Sequence, residues 1–589
     1  MRPSALPSLP SLRRVLPALA LSALAGLAPG CGGSAPSPTD DADAPATPVF
    51  PATNRPEVRG TRGAVSAGHP LAAQAGLAVL REGGHAVDAA VAMAAVLAVV
   101  RPHMNGVGGD AFILFWDEGA REVRALNGSG RAGARATPEW FTEAGYEAVP
   151  YTGPASVSVP GAVAAWVDAH EAYGRLPFPQ LLEPAIRYAR EGFPVSTRLA
   201  SDFADQGGEL EGAAADLYLP GGGPPEPGTL LRNPALAATL ERIAREGKDG
   251  FYRGPVADRI GAFLEAEGGY VRAEDLAAHT STWVDPLRAD YLGYTVHAFP
   301  PNSQGIAQIQ LLHMAGAHDL AAAGHNTPEY LHTLVELKKL AFADRDRWAG
   351  DAERVELPLE ELQDPEYLSG RAAMVGPEAA EARSSGVGDP LPEPDPDGGS
   401  GDDSGDTVYL TAVDADGNAV SWIQSLYAGF GSGLLEPETG VLPHNRGALF
   451  TLRDGHPNRV APGHRPYHTL TPLLALRDGG LGFTLGTPGG DSQPQSLLQI
   501  LNNLLLFGMT PQAAVEAPRF RSYDGRAVAV EDRIPGPVRA GLEERGHDLR
   551  VIPGWTATFG GAHMIFVEPG SGTFTVATDP RREGYGLAY

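Results

Sequence analysis

The chain contains little cysteine and few basic residues, and each shortage excludes a class of protein. Its 589 residues include a single cysteine, so neither a disulfide framework nor a zinc site with several cysteine ligands can form within it. Lys and Arg number 45 against 71 Asp and Glu, which gives a formal net charge of -26. Because binding to nucleic acid needs a basic face, this balance argues against a nucleic-acid partner.

Two common catalytic patterns are also missing. The 16 histidines include no His-Glu-x-x-His sequence, which argues against a metal enzyme. We expect no cofactor of another kind either. There is no G-x-S-x-G elbow. Residues Gly490–Gln493 faintly resemble the nucleophile motif of GDS-type esterases, but the segment Asp579–Arg582 lacks the histidine that such an enzyme needs near its C-terminus. A serine esterase is therefore kept only as an alternative.

The N-terminus has the pattern of an export signal. Arg13 and Arg14 precede an apolar run over residues 15–28, which is shorter than the roughly 20 residues that span a bilayer. The only cysteine, Cys31, follows in a context that resembles a bacterial lipoprotein box. We predict a signal peptide at 1–31 with lipid attachment at Cys31, and hence a cell-envelope or periplasmic location. An ordinary secretory peptide is the alternative.

Composition divides the remaining chain into four parts. Residues 32–62 are rich in Ser, Pro, Thr, Ala and Asp and predict a disordered tether. Residues 63–385 carry helical patterns, among which Ala86–Val100 is apolar nearly all round and predicts a buried helix. Residues 386–406 are acidic without one basic residue, which predicts a disordered linker. Strand patterns dominate 407–589.

Helices and strands can be placed along much of this length. We predict the following helices: about 71–82, 86–100, 162–172, 178–191, 234–246, 255–267 and 328–349. We predict a strand at 111–116 and two hairpins, 408–413 with 419–425 and 473–476 with 482–485.

Short motifs in both halves resemble, in order, those of the γ-glutamyltranspeptidase family of N-terminal-nucleophile hydrolases. Among them are Asn105–Asp110, Lys339–Arg345, Asp416–Ser421, Gly486–Gly490 and Asp579–Arg582. Each motif is weak alone, but the ordered set covers nearly all of residues 63–586. The resemblance implies an α+β fold, a four-layer α/β/β/α sandwich with two antiparallel sheets. It also implies that two fragments of one self-cleaved precursor build this sandwich and stay associated.

The resemblance includes Asp406-Thr407, and it implies that the chain is cut between these two residues so that Thr407 becomes an N-terminal nucleophile. A threonine hydroxyl is a weak nucleophile unless a base lies beside it, and an N-terminal threonine supplies its own α-amine. An α-amine titrates at about 7.7–8.0, which suits a base near neutral pH. The chain must therefore be cut between Asp406 and Thr407. The resemblance implies that Thr407 attacks the Asp406 carbonyl itself and that water hydrolyses the ester.

The resemblance implies further roles, residue by residue. Ser425 stands where the family has a second hydroxyl that hydrogen-bonds the nucleophile. Gly489 and Gly490 match the glycines whose N–H groups stabilise the oxyanion. His468 and Thr469 stand in place of the family's paired serines near the substrate.

The substrate-binding positions depart from the glutathione-cleaving members. Leu449 stands where those members hold the substrate α-amino group with an aspartate, and Arg446 stands where they have a glutamine. Tyr427 replaces an asparagine, and Arg131 lies two residues beyond the expected carboxylate-binding position. These features resemble the branch with cephalosporin-acylase-like and oxamate-amidohydrolase-like members.

We therefore predict an amide hydrolase or acyltransferase that forms an acyl-enzyme on Thr407. The expected partners are a small amide and either water or an amine acceptor, with membrane contact only through the lipid anchor. A true glutathione hydrolase and a glutaryl, cephalosporin or oxamate acylase are both kept open. A non-catalytic surface lipoprotein that retains the fold is a distant alternative.

Overall fold

A computed structural model describes residues 53–208, 210–388 and 406–589. The predicted signal peptide, the lipidation site Cys31 and most of the acidic linker lie outside the described residues. No helix among the described residues combines the length and apolar character that a membrane span requires.

Two seven-stranded sheets form the centre of the described chain. The strands are β1 (Val58–Gly60), β2 (Ala64–Ala67), β3 (Asp110–Asp117), β4 (Glu122–Gly128), β5 (Phe193–Pro194), β6 (Leu230–Leu231), β7 (Thr282–Val284), β8 (Leu287–Tyr291), β9 (Tyr294–Ala298), β10 (Asp406–Val413), β11 (Ala419–Tyr427), β12 (Leu473–Arg477), β13 (Gly480–Gly486), β14 (Phe520–Ser522), β15 (Ala527–Glu531), β16 (Asp548–Ile552), β17 (His563–Val567), β18 (Phe574–Thr578) and β19 (Tyr585–Ala588). The first sheet has the order β1-β18-β17-β13-β12-β9-β8 and the second the order β19-β2-β10-β11-β3-β4-β7. Every neighbouring pair in both sheets is antiparallel.

Nineteen α-helices of the described residues pack on the two sheets or on one another. They are α1 (Pro70–Arg81), α2 (Ala86–Val100), α3 (Pro138–Glu143), α4 (Ala162–Tyr173), α5 (Phe178–Glu191), α6 (Thr197–Gln206), α7 (Gly212–Tyr218), α8 (Pro234–Glu246), α9 (Asp249–Tyr252), α10 (Pro255–Ala266), α11 (Ala273–Ala277), α12 (Gly305–Gly316), α13 (Leu320–Ala323), α14 (Pro328–Trp348), α15 (Leu359–Leu362), α16 (Pro365–Ala372), α17 (Ser492–Leu501), α18 (Pro511–Glu516) and α19 (Gly536–Glu544). Helix α2 packs on β10 and β11 of the second sheet, and α12 and α17 pack on the first.

Three large apolar clusters fill the spaces between the four layers. Phe112, Tyr409, Leu474 and Ile565 belong to the cluster between the two sheets. A second cluster joins the α2 side to the second sheet, and a third joins the α12 side to the first sheet. Each sheet is thus buried on both faces, which explains why β10 and β11 are buried along their whole length. The predicted α/β/β/α sandwich is confirmed.

The sheet register brings the two predicted hydroxyls together. Strand β10 lies inside the second sheet between β2 and β11, and it pairs Thr407 with Ser425 and Asp406 with Tyr427 on β11. The register shifts between these pairs, so Leu426 is an extra residue on β11. Such a bulge redirects side chains at a strand end, here beside the predicted scissile bond.

Ordered structure extends beyond two of the predicted boundaries. Residues Val58–Gly60 of the predicted tether form β1, because their backbone groups pair with β18. Asp406, the last residue of the predicted linker, is the first residue of β10. In both places backbone pairing with a distant strand outweighs a polar local composition.

Candidate active site

The Thr407 side chain lies in a buried hydrogen-bond network at the start of β10. Its Oγ1 donates to Ser425 Oγ at 3.1 Å. Ser425 Oγ donates to the carbonyl oxygen of Asp406 at 2.7 Å and accepts from the Tyr427 N–H at 2.8 Å. The hydroxyl that lies opposite Thr407 therefore also polarises the predicted scissile carbonyl.

A buried arginine completes this network. Arg446, in a short turn at Arg446–Leu449, is fully buried and donates from Nη2 to Ser425 Oγ at 3.2 Å. Its Nη1 donates to Thr469 Oγ1 at 3.0 Å, and its guanidinium lies 4.4 Å from the centre of the Tyr427 ring. The guanidinium is thus held two hydrogen bonds away from the Thr407 hydroxyl.

The charge of Arg446 is not neutralised by a contacting carboxylate. Among residues 53–208, 210–388 and 406–589, no acidic side chain forms an ion pair with it, and its Nε has no hydrogen-bond partner. Burial lowers the pKa of Arg446 to about 10, so the side chain stays charged at neutral pH. A buried cation of this kind favours an anionic ligand.

The two predicted oxyanion glycines form a turn whose backbone angles are unfavourable for residues that carry a side chain. Gly489 and Gly490 have φ angles of 126° and 55°, in the region that favours glycine. The buried side chain of Gln304 donates from Nε2 to the Gly490 carbonyl at 3.0 Å and also to the Thr469 carbonyl. Arg345 Nη1 in turn donates to Gln304 Oε1 at 3.0 Å. Gln304 thereby joins the glycine turn to the segment that carries Thr469.

His468 lies in a second buried network beside the site. Its Nε2 is 3.2 Å from Asp110 Oδ2, and its ring packs edge-on against Phe112 at 4.6 Å. Burial lowers the pKa of His468 to about 3, so the ring is neutral. Asp110 also accepts from the N–H groups of Gly130 and Gly161, and although burial opposes ionisation, the neighbouring histidines hold the pKa of its carboxyl below the usual range.

The other predicted substrate-binding residues differ in their surroundings. Tyr427 packs against Tyr151, which is 39% exposed, so these rings connect the site to the surface. Leu449 is half-buried in the same turn as Arg446. Arg131 instead forms ion pairs with Asp351 at 3.3 Å and Glu353 at 2.6 Å, so the structure does not bring it into the network around Thr407.

The residues of the two alternative chemistries are engaged in other contacts. Ser492, the serine of the esterase-like motif, is buried and donates from Oγ to the Gly489 carbonyl at 2.8 Å. His332, Glu336 and His547 could offer three metal ligands within 4.8 Å of one another. Glu336, however, is paired with Lys339 at 2.7 Å and Arg383 at 2.8 Å.

A second buried arginine contacts the residue before Thr407. Arg582 donates from Nη1 and Nη2 to Asp406 Oδ1, at 3.1 Å each. Thr407, Arg582, Arg101 and Pro488 line one small cavity, and Pro488 directly precedes the oxyanion glycines. A cation therefore lies on the side of Thr407 that faces the glycine turn.

Sequence reasoning missed three of these contributors. Gln304, Arg582 and Asp110 lay inside segments used for the family resemblance, but no local pattern indicated their contacts. Their partners are 165, 176 and 358 positions away along the chain. Only the fold reveals such pairs.

Comparison with known proteins identifies a family. A sequence profile described as gamma-glutamyltranspeptidase matches residues 72–589. A glutathione hydrolase-like YwrD proenzyme of Bacillus subtilis is 38% identical over 90% of this chain and 98% of its own length. An oxamate amidohydrolase proenzyme of Klebsiella pneumoniae is 36% identical over 90% of this chain and 99% of its own length.

Solved structures point in the same direction. The crystal structure of cephalosporin acylase from Bacillus halodurans superposes with a TM-score of 0.84 at 36% identity. The match covers 93% of this chain and 99% of that one. The sequence and the fold therefore lead to one family, whose similar members carry the names of three different amide-cleaving activities.

Proposed function

The chain belongs to the γ-glutamyltranspeptidase family, and on that premise we propose that it is a self-cleaving amide hydrolase with Thr407 as nucleophile. The relatives named as proenzymes make processing of a precursor the family pattern. The proposal assigns Thr407 as the nucleophile, Ser425 as its hydrogen-bond partner, and Gly489 and Gly490 as the oxyanion donors. We propose that cleavage leaves a larger fragment that ends at Asp406, with 63–385 as its main part, and a smaller fragment of 407–589.

Self-cleavage would begin in the network around Ser425. Thr407 Oγ1 attacks the Asp406 carbonyl carbon, its proton passes to Ser425 Oγ, and Ser425 gives its own proton to the carbonyl oxygen. Both transfers follow hydrogen bonds that are already in place, at 3.1 Å and 2.7 Å. The C–N bond then breaks, the Thr407 nitrogen takes a proton and becomes the free amine, and water hydrolyses the ester at Asp406.

The processed enzyme would repeat this chemistry on an external amide. The new α-amine of Thr407 accepts the hydroxyl proton as Oγ1 attacks the substrate carbonyl. The N–H groups of Gly489 and Gly490 stabilise the oxyanion, the amine leaves with a proton, and water or an acceptor amine releases the acyl group. Gln304 acts as a positioning residue, because it ties Gly490 to the Thr469 segment.

The buried, unpaired charge of Arg446 carries the substrate assignment. A γ-glutamyl group brings an ammonium that would lie in the field of this cation, and Leu449 offers it no carboxylate. An acyl group that ends in a carboxylate and lacks the ammonium gains from the same field. We propose glutaryl-, oxamate- or cephalosporin-type amides rather than glutathione as the substrate class, with Tyr427, His468 and Thr469 lining their site.

The deciding experiment compares two anilides on the processed enzyme. Losing about 3 kcal/mol of ion pairing lowers kcat/KM more than 100-fold. We therefore expect kcat/KM for the glutaryl anilide to exceed that for the γ-glutamyl anilide by about 100-fold or more. A clear preference for γ-glutamyl would overturn the assignment and would mean that another acidic side chain meets the ammonium.

A matched pair of variants tests the Leu449 position itself. Leu449→Asp should raise kcat/KM for the γ-glutamyl anilide, because it supplies the missing carboxylate. In Leu449→Asn the new side chain has nearly the size of aspartate but no charge. This variant should leave the ratio of the kcat/KM values for the two anilides close to that of the unmodified enzyme. Equal effects of both variants would assign the change to packing instead of charge.

We also propose that the protein is exported and held at a membrane of the cell envelope through a lipid on Cys31. The support is the short apolar run before Cys31 and the polar segment after it. Because a single acyl chain binds a membrane only marginally, stable attachment needs the additional chains that a lipoprotein cysteine carries. Arg131 is bound by Asp351 and Glu353, which neutralise its charge, so it is not proposed as a substrate contact.

A further inference from the structure

Arg582 depends on Asp406 for its negative partner. The Arg582 side chain is 8% exposed and the Asp406 side chain is 2% exposed. The two terminal nitrogens of the guanidinium, Nη1 and Nη2, both donate to Asp406 Oδ1. Asp406 is the only acidic side chain among the described residues that forms an ion pair with Arg582. Burial lowers the pKa of Arg582, and Asp406 provides the largest opposing charge. Loss of Asp406 would leave a buried cation without a partner.

The neighbouring arginine does not share this dependence. Arg101 lines the same cavity beside Thr407 but is paired with Asp202 at 3.0 Å and with Glu583 at 3.2 Å. Neither of these acids lies next to the cleavage site in the sequence. If Asp406 leaves after cleavage, Arg582 loses its ion-pair partner, whereas Arg101 keeps both of its partners.

Turnover requires that Asp406 leave its place. The carbonyl carbon of a substrate must reach Thr407 Oγ1, and in the precursor the carbonyl of Asp406 occupies that position. After hydrolysis Asp406 is the last residue of the larger fragment and is no longer bonded to Thr407. The cavity that Arg582 and Pro488 line already borders Thr407, so a substrate group that replaces Asp406 would lie beside it.

The intermediates of processing and turnover are esters of the same oxygen. In processing, the acyl group on Thr407 Oγ1 is the Asp406 residue, with its side-chain carboxylate on Arg582. In turnover it is the acyl group of the substrate. In Asp406 two carbons, Cα and Cβ, separate the reacting carbonyl from the carboxyl carbon. A succinyl group has the same spacing, whereas an oxalyl group has none of these carbons and a glutaryl group has three.

We propose that Arg582 binds the terminal carboxylate of the substrate acyl group, and that the acyl group which fits is the four-carbon, succinyl-type half-amide of a dicarboxylic acid. Asp406 is the stand-in for this group in the precursor. The inference rests on one part of the proposed function, an acyl group that ends in a carboxylate and lacks the ammonium. It narrows that class by assigning the contact residue and by placing the preferred chain length at succinyl, one carbon shorter than glutaryl. Arg446 then acts through its field and through Ser425, and Arg582 makes the direct contact.

A chain-length series on the unmodified processed enzyme tests the inference. The substrates are the oxalyl, malonyl, succinyl, glutaryl and adipoyl half-anilides. We expect kcat/KM to be highest for succinyl and about tenfold lower for each neighbour, because one misplaced carbon strains or breaks the ion pair. A maximum at another length, or no dependence on length, would overturn the inference.

A second experiment combines an enzyme variant with a substrate variant. The unmodified enzyme should prefer the succinyl anilide over its uncharged carboxamide analogue by about 10- to 100-fold. Arg582→Gln should lose this preference, so that its kcat/KM values for the acid and for the carboxamide become nearly equal. Arg198→Gln is the matched control, because Arg198 pairs with Asp202 and does not line the cavity; it should keep the preference. An Arg582→Gln enzyme that still prefers the acid contradicts the assignment.

The outcomes separate this inference from the proposed function. If the γ-glutamyl anilide surpasses every carboxylate-bearing acyl group, the substrate class itself is wrong. If carboxylate-bearing groups surpass γ-glutamyl but succinyl is not preferred, only the assignment of Arg582 fails. If the Arg582→Gln variant fails to self-cleave, it cannot be assayed as a processed enzyme. The chain-length series on the unmodified enzyme then tests the inference by itself.

Discussion

Ser425 donates a 2.7 Å hydrogen bond to the carbonyl oxygen of Asp406, the carbonyl that self-cleavage must attack. Because the same hydroxyl accepts from Thr407, one side chain connects the nucleophile to the oxygen that gains negative charge. The pairing of β10 with β11 places Ser425 opposite Thr407, and the register shifts between this pair and the pair of Asp406 with Tyr427. The arrangement gives Ser425 a role before Thr407 has a free amine.

Replacing Ser425 should therefore slow self-cleavage. Ser425→Ala removes both the proton acceptor for Thr407 and the donor to the Asp406 carbonyl, and loss of such an oxyanion donor costs about 100- to 1000-fold in rate. The measurement is the conversion of full-length chain to fragments over time on a denaturing gel. Ser425→Thr retains the hydroxyl and serves as the control. Cleavage of Ser425→Ala at the unmodified rate would remove Ser425 from the mechanism.

Arg446 should set the pH dependence of turnover. Its pKa of about 10 keeps it charged while the Thr407 amine titrates, and a nearby cation disfavours the ammonium form. In the unmodified enzyme, kcat/KM should rise with pH through a midpoint below the reference range of about 7.7–8.0. Arg446→Gln should move this midpoint upward by about one pH unit.

Arg446→Lys is the matched control, because it keeps the positive charge and should keep the midpoint. The quantity to measure is the acid limb of the kcat/KM profile for an uncharged acyl anilide, which avoids a direct effect on substrate binding. A midpoint that stays unchanged in Arg446→Gln would show that its charge does not reach the amine.

Gln304 should affect catalysis without touching the substrate. Gln304→Ala removes the bonds that join the Gly490 and Thr469 carbonyls, and a small displacement of oxyanion donors costs about 100-fold. We expect kcat to fall by about this factor with little change in KM. Gln308→Ala is the control: Gln308 is equally buried, and its side-chain amide has no hydrogen-bond partner within the described chain. If kcat falls by a similar factor in Gln304→Ala and Gln308→Ala, the loss comes from disturbed packing and not from the hydrogen bonds of Gln304.

Part of this organisation could be predicted from the sequence. Helices Ala86–Val100, Phe178–Glu191 and Pro234–Glu246 have the predicted bounds, because Gly, Pro or capping side chains mark their ends locally. The pairing of Thr407 with Ser425 followed from the family resemblance and agrees with the register of β10 and β11. Alternating apolar patterns around a tight turn were sufficient for that hairpin.

The rest depends on contacts between distant parts of the chain. Strand β1 lies in a polar stretch, and only its pairing with β18 orders it. The partners of Arg582 and Gln304 are set by how the two sheets stack, which no local pattern encodes. The unneutralised charge of Arg446 likewise depends on which acidic side chains the fold brings near it.

The lipid anchor makes a separate prediction. Unmodified protein should appear in the membrane fraction of cells, and Cys31→Ser should move it to the soluble fraction, because the acylated side chain would be lost. Fractionation followed by immunodetection measures this, and high-salt washing separates lipid attachment from charge-based adhesion. If both proteins partition alike, Cys31 carries no lipid.

The central claim, self-cleavage before Thr407, is tested most directly by terminal sequencing of the smaller fragment together with the Thr407→Ala variant. The fragment of the unmodified protein should begin Thr-Val-Tyr-Leu, Thr407→Ser should still be cut, and Thr407→Ala should stay full-length and inactive. Undiminished cleavage of Thr407→Ala, or a fragment that begins at another residue, would contradict the account.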